Sequence, residues 1–428
     1  MKNTVLWGIQ ATVDRTYKVR SRMSQVISYF IEKELFPTYA DTLKAILTTG
    51  LHKDYNFRLD PNDPLSLKHL DIAVKYLRVN NFIEAAQIGG NPGISALRAH
   101  RLSVGNPDSS LPQVQYIGLF PESVQEYVAK NSSDDPALKN VFNAEHCIQT
   151  QARPQTVSIE AEHKIILSYG PGRDLNDLFI NDTFDKYITK LREASVNQRD
   201  GKVVVALSVP WPLDKGKVML DNIRSEFRDR VSIFVSLAAL RKDSGEVDQE
   251  RVTKINEHIL TNTDIISCNE TELHDLHTMV VGGGTFQDIP LVYKLKQLPH
   301  KAIKICHSAY GSILDIGCDP QAIINSRQFI EDPGGYLKSA LQLATDGATY
   351  AFDAEVGRKA SESMVRIYSD SVAGRSVELF RATFLKTVEQ LTGGVLAVHS
   401  PLVYRPMGAL TGVGAMLDGL LVSFLMRD

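Results

Sequence analysis

Short apolar runs that alternate with amphipathic stretches dominate the second half of the chain. Six strands are predicted there, at residues 163–169, 202–208, 231–236, 264–268, 302–307 and 312–316. Helices are predicted between some of them, at residues 214–227 and 249–260. Strands that alternate with helices in this way are typical of a mainly parallel sheet covered by helices on both faces. The pattern therefore predicts an α/β fold.

The first half of the chain has a less regular pattern. Residues 4–11 read as a strand that ends at Thr12, Val13 and Asp14, and residues 17–51 as a long amphipathic helix broken near Pro37. The remaining predictions are helices at 67–80 and 93–100 on either side of a glycine turn, a strand at 114–119 and a polar, peripheral stretch at 122–140.

Length and composition indicate an ordinary globular protein. At 428 residues the chain is longer than a usual single core, so two structural units are expected. Hydrophobic residues make up 43% and charged residues 23%, with a net charge of −3. This balance provides no electrostatic basis for a nucleic-acid partner.

The cysteines and the apolar segments point to the cytoplasm. Cys147, Cys268, Cys306 and Cys318 have no metal-ligand spacing, and most lie in apolar, strand-like surroundings, which favours reduced thiols. No apolar block of signal-peptide length follows Met1. The apolar stretch 407–426 is interrupted by an acidic residue and by glycines, which favours a buried helix over a membrane anchor. We therefore expect no membrane partner.

Two glycines near the end of the chain are the first candidate for chemistry. Gly412 and Gly414 open the apolar run 416–426, which is predicted to be helical. Glycines that enter a helix expose free backbone N–H groups at its positive end, where a phosphate can bind. Transfer of a phosphoryl group to a hydroxyl also needs a group that accepts the proton, and the next residue, Ala415, cannot do so.

Polar residues with glycines in the first half could contact a ligand. Gly89, Gly90 and Asn91 precede a predicted helix, where the backbone can approach a ligand and the amide can bind hydroxyls. A tight turn at a helix start explains the same residues. Asp14, at a strand end, is placed either for a polar ligand or as a turn residue.

A second polar group follows predicted strands of the large sheet. Asn269 and Glu272 come directly after the strand 264–268, at the end where open α/β sheets bind ligands and where carboxylates can hold Mg²⁺ through its waters. Asn269 as N-cap with Glu272 three residues later is also the pattern of a helix cap. His307 precedes a predicted hairpin, as a structural residue or at a nucleotide edge.

Taken in order, these motifs resemble the ribokinase-like superfamily, and within it the ADP-dependent sugar kinases, the glucokinase and phosphofructokinase group. The resemblance spans nearly the whole chain. It is carried by Asp14, Gly89-Gly90-Asn91-Pro92-Gly93, Asn269-Glu270-Thr271-Glu272-Leu273, His307, Val403-Tyr404-Arg405-Pro406 and Gly412-Val413-Gly414.

The resemblance implies a large sheet domain for the nucleotide and a smaller, discontinuous lid over the sugar. The lid would come mainly from segments within 15–70 and 95–200. The large domain would comprise mainly 201–428, together with strand 4–11 and helix 93–100. The implied reaction is Mg²⁺-dependent phosphoryl transfer from ADP to a hydroxyl of a hexose or hexose phosphate, which releases AMP.

The resemblance also implies roles for individual residues. Those that would face the sugar are Asp14, Gly89, Gly90 and Asn91. Asn269 and Glu272 would organise Mg²⁺ and its waters. The anion hole would be Gly412, Val413 and Gly414, and the residues near the nucleotide would be His307, Tyr310 and Arg405.

The chain departs from the family pattern at two positions. The family has Gly-x-Gly-Asp, whose Asp is the base, and Ala415 occupies that position. A His-x-Glu of the family, which helps to arrange the metal, aligns best with Val235-Ser236-Leu237. We do not expect Asp418 to replace the base, because it lies one turn further into the helix. Two functions remain open: an impaired sugar kinase, or an inactive pseudokinase that binds nucleotide or sugar as a regulator or scaffold.

Overall fold

The structure is a computed structural model. It describes residues 3–51, 55–60, 63–105, 110–150, 154–161, 164–170, 183–196, 202–208, 213–227, 230–238, 240–242, 246–282, 291–307, 311–324, 326–351, 395–399 and 413–427. The strands in these segments are β1 (Thr4–Gly8), β2 (Thr12–Lys18), β3 (Tyr55–Leu59), β4 (Ile83–Gly89), β5 (Gln113–Tyr116), β6 (Leu119–Pro121), β7 (Ile148–Thr150), β8 (Gln155–Glu160), β9 (Lys164–Tyr169), β10 (Val203–Ser208), β11 (Val231–Ser236), β12 (Ile265–Asn269), β13 (Ile303–His307), β14 (Gly311–Ile316) and β15 (Val395–His399).

Helices connect the strands and cover the sheets. They are α1 (Met23–Glu32), α2 (Ala40–Thr49), α3 (Pro64–Val79), α4 (Asn91–Gly105), α5 (Glu122–Asn131), α6 (Pro136–Val141), α7 (Thr183–Val196), α8 (Leu213–Phe227), α9 (Gln249–Lys254), α10 (Glu270–Val280), α11 (Leu291–Gln297), α12 (Arg327–Glu331), α13 (Pro333–Ala351) and α14 (Val413–Leu425). A π-helical turn, Ile255–Ile259, continues α9.

The large sheet has eight strands in the order β15-β14-β13-β12-β11-β10-β1-β5. The pairs from β5 to β13 are parallel, whereas β14 is antiparallel to both of its neighbours. Every residue of β10 and β11 is buried, because helices cover both faces of the sheet. The sheet is therefore mainly parallel, and the carboxyl ends of its parallel strands meet at one edge.

The small sheet has five strands in the order β3-β9-β8-β2-β4. One of its faces is apolar: Tyr17, Phe57 and Ile159 pack there in a core that also includes residues of α1, α2 and α3. Because side chains alternate along a strand, the intervening polar residues of β2, β8 and β9 lie on the opposite face. The two faces of this sheet thus differ sharply in chemistry.

Helix α14 is the last described element and packs on α4 and α13. Its apolar residues lie in the same core as residues of β1, β10 and β12. The helix is therefore buried against the large sheet, as its composition predicts.

Two predictions for the first half of the chain are wrong. Tyr17 belongs to β2, so the predicted helix 17–51 is replaced by a strand and the separate helices α1 and α2. Glu34 has a φ of +51° just after α1, a left-handed conformation that commonly follows the end of a helix, and Phe36, with a φ of +57°, precedes Pro37. Asp14 accordingly lies inside β2, with Gln87 of β4 and Thr156 of β8 as its register partners, rather than at the end of β1.

Candidate active site

The carboxyl ends of β12 and β13 bring two predicted residues together. Asn269 ends β12, His307 ends β13, and the two are register partners in the parallel pair. Helix α10 begins at the residue after Asn269. These candidates thus lie side by side at the edge where parallel α/β sheets bind ligands.

Asn269 and Glu272 form a complete capping box. The Asn269 side chain accepts a hydrogen bond from the Glu272 N–H at 2.9 Å, and Glu272 Oε2 accepts one from the Asn269 N–H at 2.8 Å. The helix-cap interpretation of this pair is confirmed, since both reciprocal bonds are present. A role in metal binding would have to coexist with the cap.

Asp418 connects α14 to the large sheet. Its side chain is 1% exposed, and Ser267 Oγ of β12 donates a hydrogen bond of 2.6 Å to its Oδ1. Ser236, at the end of β11, also hydrogen-bonds this carboxyl group. These bonds engage the carboxyl group with the ends of β11 and β12, so Asp418 ties α14 to the large sheet.

Glu272 and Asp418 are both buried, and the charge of Asp418 affects Glu272. Burial raises the pKa of Glu272 to about 8, and the charge of Asp418 contributes to the increase. Burial also raises the pKa of Asp418, against the opposing effect of His307, while burial lowers the pKa of His307 itself. Like charges this close disfavour double ionisation. A cation bound nearby would relieve that repulsion.

This acidic pair is the structural observation that bears on Mg²⁺. The described part of the chain contains no cluster of three or more His, Cys, Asp or Glu side chains that could hold a metal ion. Direct ligation by several carboxylates is therefore not supported there. An ion that keeps most of its waters, as Mg²⁺ usually does beside phosphates, needs only one or two carboxyl groups within reach of those waters. Asn269 and Glu272 would hold those waters.

The first turn of α14 is tightly packed. A Cβ added to Gly414 would come within 2.7 Å of His307 Cε1, so only glycine permits this approach of the imidazole. Ala415 is 4% exposed, and its carbonyl oxygen accepts a 2.6 Å hydrogen bond from Ser95 Oγ of α4. Gly414 is thus explained by His307, and the bond from Ser95 fixes the backbone next to the predicted anion hole.

The small sheet contributes a second group of polar residues. Asp14 is half-buried, and Thr12 Oγ1 donates a 3.0 Å hydrogen bond to its Oδ1. Burial raises the pKa of Asp14, against the hydrogen bonds from Thr12 and Thr156. A Cβ on Gly89 would lie 2.0 Å from the Asp14 carboxyl carbon. Only glycine, which has no side chain, therefore leaves room at position 89 for the carboxyl group of Asp14.

The backbone then turns into α4. Gly90 has a φ of +73°, and a Cβ there would meet the Gln10 carbonyl oxygen at 2.9 Å. Asn91 is the first residue of α4. The tight turn that the sequence suggests is thus present, and Asp14, Gly89, Gly90 and Asn91 are neighbours.

Some predicted site residues lie outside the described segments, and some residues that the structure places in the site were not predicted. Gly412, Tyr310 and Arg405 belong to the first group, and Val413 is described only as the first residue of α14. The residues that sequence reasoning missed are Ser95, Ser236, Ser267 and Thr156. Isolated Ser and Thr residues form no recognisable motif. Only the fold shows that Ser95 bonds Ala415, that Ser236 and Ser267 bond Asp418, and that Thr156 bonds Asp14.

Comparison with known proteins defines the class of fold. No protein-family model and no curated protein matches the chain. The solved structure of a hypothetical ADP-dependent phosphofructokinase from Pyrococcus horikoshii OT3 is 13% identical, with a TM-score of 0.56 over 99% of this chain and 98% of that one. A phosphofructokinase from the same organism, solved with AMP, is 12% identical, with a TM-score of 0.54 over 99% and 98%.

A third structure gives the same result. The last common ancestor of ADP-dependent phosphofructokinases from Methanosarcinales is 12% identical, with a TM-score of 0.56 over 99% of this chain and 94% of that one. The predicted α/β fold with a mainly parallel sheet is confirmed, and it is the fold of these phosphofructokinase structures. The predicted resemblance to ADP-dependent sugar kinases is confirmed at the level of fold. Within the described residues, we find no helix with the length and apolarity needed to span a membrane.

The raised pKa of Glu272 leads to a prediction about stability. Glu272 keeps its proton to a higher pH in the folded chain than in the unfolded chain. The free energy of unfolding therefore falls as pH rises from 4.5 to about 8. Glu272→Gln keeps an oxygen for the capping box but cannot ionise. We expect its free energy of unfolding, measured by urea denaturation, to decline less across this range than that of the wild type.

Glu331→Gln, which removes a carboxylate from an exposed ion pair with Arg327, is the matched control. Its free energy of unfolding should follow the wild-type pH dependence. If Glu272→Gln also follows it, the carboxyl group of Glu272 is ionised in the folded chain, contrary to the assignment above.

Proposed function

We propose that this chain is a sugar kinase-like protein that transfers a phosphoryl group from ADP to a hydroxyl of a hexose or hexose phosphate and releases AMP. We further propose that transfer is slow, because the position of the expected base is occupied by Ala415. The small sheet would serve as the lid over the sugar, and the large sheet would carry the nucleotide. The cytoplasm is the proposed location.

One contact carries this proposal. The hydrogen bond from Ser95 Oγ to the Ala415 carbonyl joins α4 to the first turn of α14. Ser95 lies four residues after Asn91, about 6 Å along the helix axis. The sugar-facing candidates at the start of α4 and the predicted anion hole at the start of α14 are therefore close together, as phosphoryl transfer between two bound substrates requires.

The residues of the chain can perform most of the required steps. Backbone N–H groups at the start of α14 would bind the transferring phosphoryl group, and their alignment with the helix dipole favours negative charge. The Asp14 carboxyl, held by Thr12 and Thr156, would orient a sugar hydroxyl. Mg²⁺, when bound, supplies charge neutralisation at the phosphates. Closure of the small sheet over the large one would exclude water.

A second function is favoured by a specific observation. Near the start of α14, Ala415 presents a buried methyl group, Asp418 is bonded to Ser267, and Glu272 is part of a capping box. None of these groups is placed to take a proton from a sugar hydroxyl. A pseudokinase that binds nucleotide or sugar without turnover, as a regulator or scaffold, is therefore the alternative.

Calorimetric titration with Mg·ADP, AMP and Mg·ATP tests the proposal, followed by an assay of AMP release with glucose and with fructose 6-phosphate. We expect ADP to bind and AMP release to be slow and dependent on sugar. Binding without any AMP release would establish the pseudokinase. Failure of every nucleotide and sugar to bind or to raise the melting temperature would contradict both functions.

A further inference from the structure

A single row of polar residues crosses the whole small sheet. The strand register aligns Arg58 of β3 with Ser168 of β9, Ser168 with Thr156 of β8, Thr156 with Asp14 of β2, and Asp14 with Gln87 of β4. Residues directly opposite one another on neighbouring strands project to the same face. This row therefore lies on the polar face, opposite the apolar core formed with α1, α2 and α3.

Asp14 and Arg58 occupy different parts of this row. They are three strand spacings apart, roughly 14 Å between their backbones at the usual spacing of about 4.8 Å. Asp14 is suited to hydroxyl groups, whereas the exposed Arg58 supplies a positive charge. On the same face, a ligand could thus place hydroxyl groups near Asp14 and a negatively charged group near Arg58.

A second arginine approaches Arg58 from the large domain. Arg251 lies in the first turn of α9, and burial lowers its pKa, with the nearby charge of Arg58 acting in the same direction. Asp248 has the opposite effect, but its carboxylate already caps α9 by accepting the backbone N–H of Arg251 at 3.2 Å. A positive charge of the small sheet and one of helix α9 are therefore close enough to affect each other.

The guanidinium of Arg251 is also incompletely satisfied. Its Nε and Nη2 atoms are buried, and neither has a hydrogen-bond partner among the described residues. Leaving charged donors buried without acceptors is costly, typically more than for neutral groups. An acceptor that is itself negative would satisfy the donors and the converging charges together. Phosphate fits best, because the guanidinium fork binds its oxygens in a bidentate manner.

We infer that Arg58 and Arg251 form a two-domain site for a phosphate group, between the polar face of the small sheet and α9. This inference rests on the proposed function in so far as the phosphate belongs to a phosphorylated sugar acceptor, whose hydroxyls would lie along the row towards Asp14. Free phosphate bound as an effector would use the same chemistry. Either ligand would hold the small sheet against the large domain by bridging the two arginines.

Calorimetry at fixed ionic strength with inorganic phosphate, fructose 6-phosphate and fructose tests the site. The variants are Arg251→Met, Arg58→Met and, as a control, Arg327→Met, which removes an exposed arginine from an i,i+4 ion pair. We expect each site variant to bind the phosphorylated ligands about 10- to 100-fold more weakly, the effect of losing one charged hydrogen bond. The control should bind them like the wild type.

A stability measurement separates ligand binding from a structural role. Arg251→Met removes an unsatisfied buried charge, so its melting temperature without ligand should equal or exceed that of the wild type. Phosphate should raise the melting temperature of the wild type but not that of the variant. A lower melting temperature with unchanged phosphate affinity would overturn the inference and make Arg251 a structural residue.

The outcomes distinguish the two sources and the two proposals. Binding of fructose 6-phosphate but not of inorganic phosphate supports a subsite for the acceptor, and binding of both supports a site that free phosphate can also use. If neither binds, or if fructose binds as tightly as its phosphate, the site is refuted. ADP binding is measured separately in the same preparation. If ADP binds but phosphate does not, the phosphate site is refuted and the proposed kinase-like function is not.

Discussion

Replacing Ala415 with aspartate is expected to raise the rate of ADP-dependent sugar phosphorylation by about 10²–10⁴-fold, the usual contribution of a general base. The position follows Gly414 in the first turn of α14, one helical turn before Asp418. Among the described residues near the start of α14, no side chain is placed to accept the proton of the attacking hydroxyl, and the aspartate would supply one. Coupled detection of AMP with glucose and with fructose 6-phosphate measures the change.

Ala415→Asn is the matched control, because it adds the same volume without a group that can accept a proton. Ala415 is 4% exposed, so both variants should lose some stability, and the aspartate more than the asparagine. An aspartate variant that folds and binds both substrates but stays no faster than the asparagine variant would show that more than the base is missing. Leu237, where the family has a carboxylate, is then the next position to change.

Replacing Gly419 with alanine is expected to lower the free energy of unfolding by about 2–3 kcal/mol, as overpacking of a close contact does. In most helices this substitution is favourable, by about 1 kcal/mol. Here the new Cβ would lie 2.4 Å from the Ser95 carbonyl oxygen and 2.9 Å from its Cα. Since these are backbone atoms, α4 and α14 must move apart. The hydrogen bond from Ser95 to Ala415 should then weaken, and nucleotide affinity should fall as well.

Gly334→Ala provides the control in another helix. Gly334 is near the start of α13, and the nearest atom to an added Cβ is Asp332 Oδ1 at 4.0 Å. Its free energy of unfolding, measured by urea denaturation, should stay the same or rise slightly, because alanine restricts the unfolded chain. Equal stability of the Gly419→Ala and Gly334→Ala variants would mean that the two helices are not in close contact.

Much of the large sheet could be predicted from the sequence. Runs such as Val203–Ser208 and Val231–Ser236 are apolar except for serines, as expected for central strands of a parallel sheet. The helix after Gly414 was also predictable, since the apolar run there is interrupted only at Asp418, Gly419 and Ser423. In these segments, composition and burial agree.

The small sheet was harder to predict, for a physical reason. Its strands have one polar face, and on its apolar side Arg15 lies between Val13 and Tyr17, so the alternation in β2 is obscured. In β4, residues 83–87 are exposed, and exposed edge strands carry little hydrophobic signal. The segment around Tyr17 therefore resembled the start of the following helix. Register across several strands, which aligns Asp14 with Thr156 and Arg58, depends on contacts between distant segments.

The candidate site likewise combines features that local sequence predicts with contacts that it does not predict. Asn269 and Glu272 follow a cap pattern that local sequence encodes, and the capping box is present. The bonds from Ser95 to Ala415 and from Ser267 to Asp418 join residues 320 and 151 positions apart. No local pattern could predict them. The sequence marks Gly89 and Gly414 as candidates for contact with a ligand. The structure shows in addition that a side chain at either position would collide with Asp14 or with His307, respectively.

These distant contacts also govern the order in which the protein can fold. Helix α14 packs on α4, and Met426, just after it, accepts a hydrogen bond from Asn3 Nδ2, 423 positions away. Contacts of such high sequence separation form late, because a long loop must close first. During synthesis, the groove that receives α14 remains uncovered until residues 413–425 have left the ribosome. A nascent or truncated chain would expose that apolar groove, which makes this stage the one most prone to aggregation and chaperone binding.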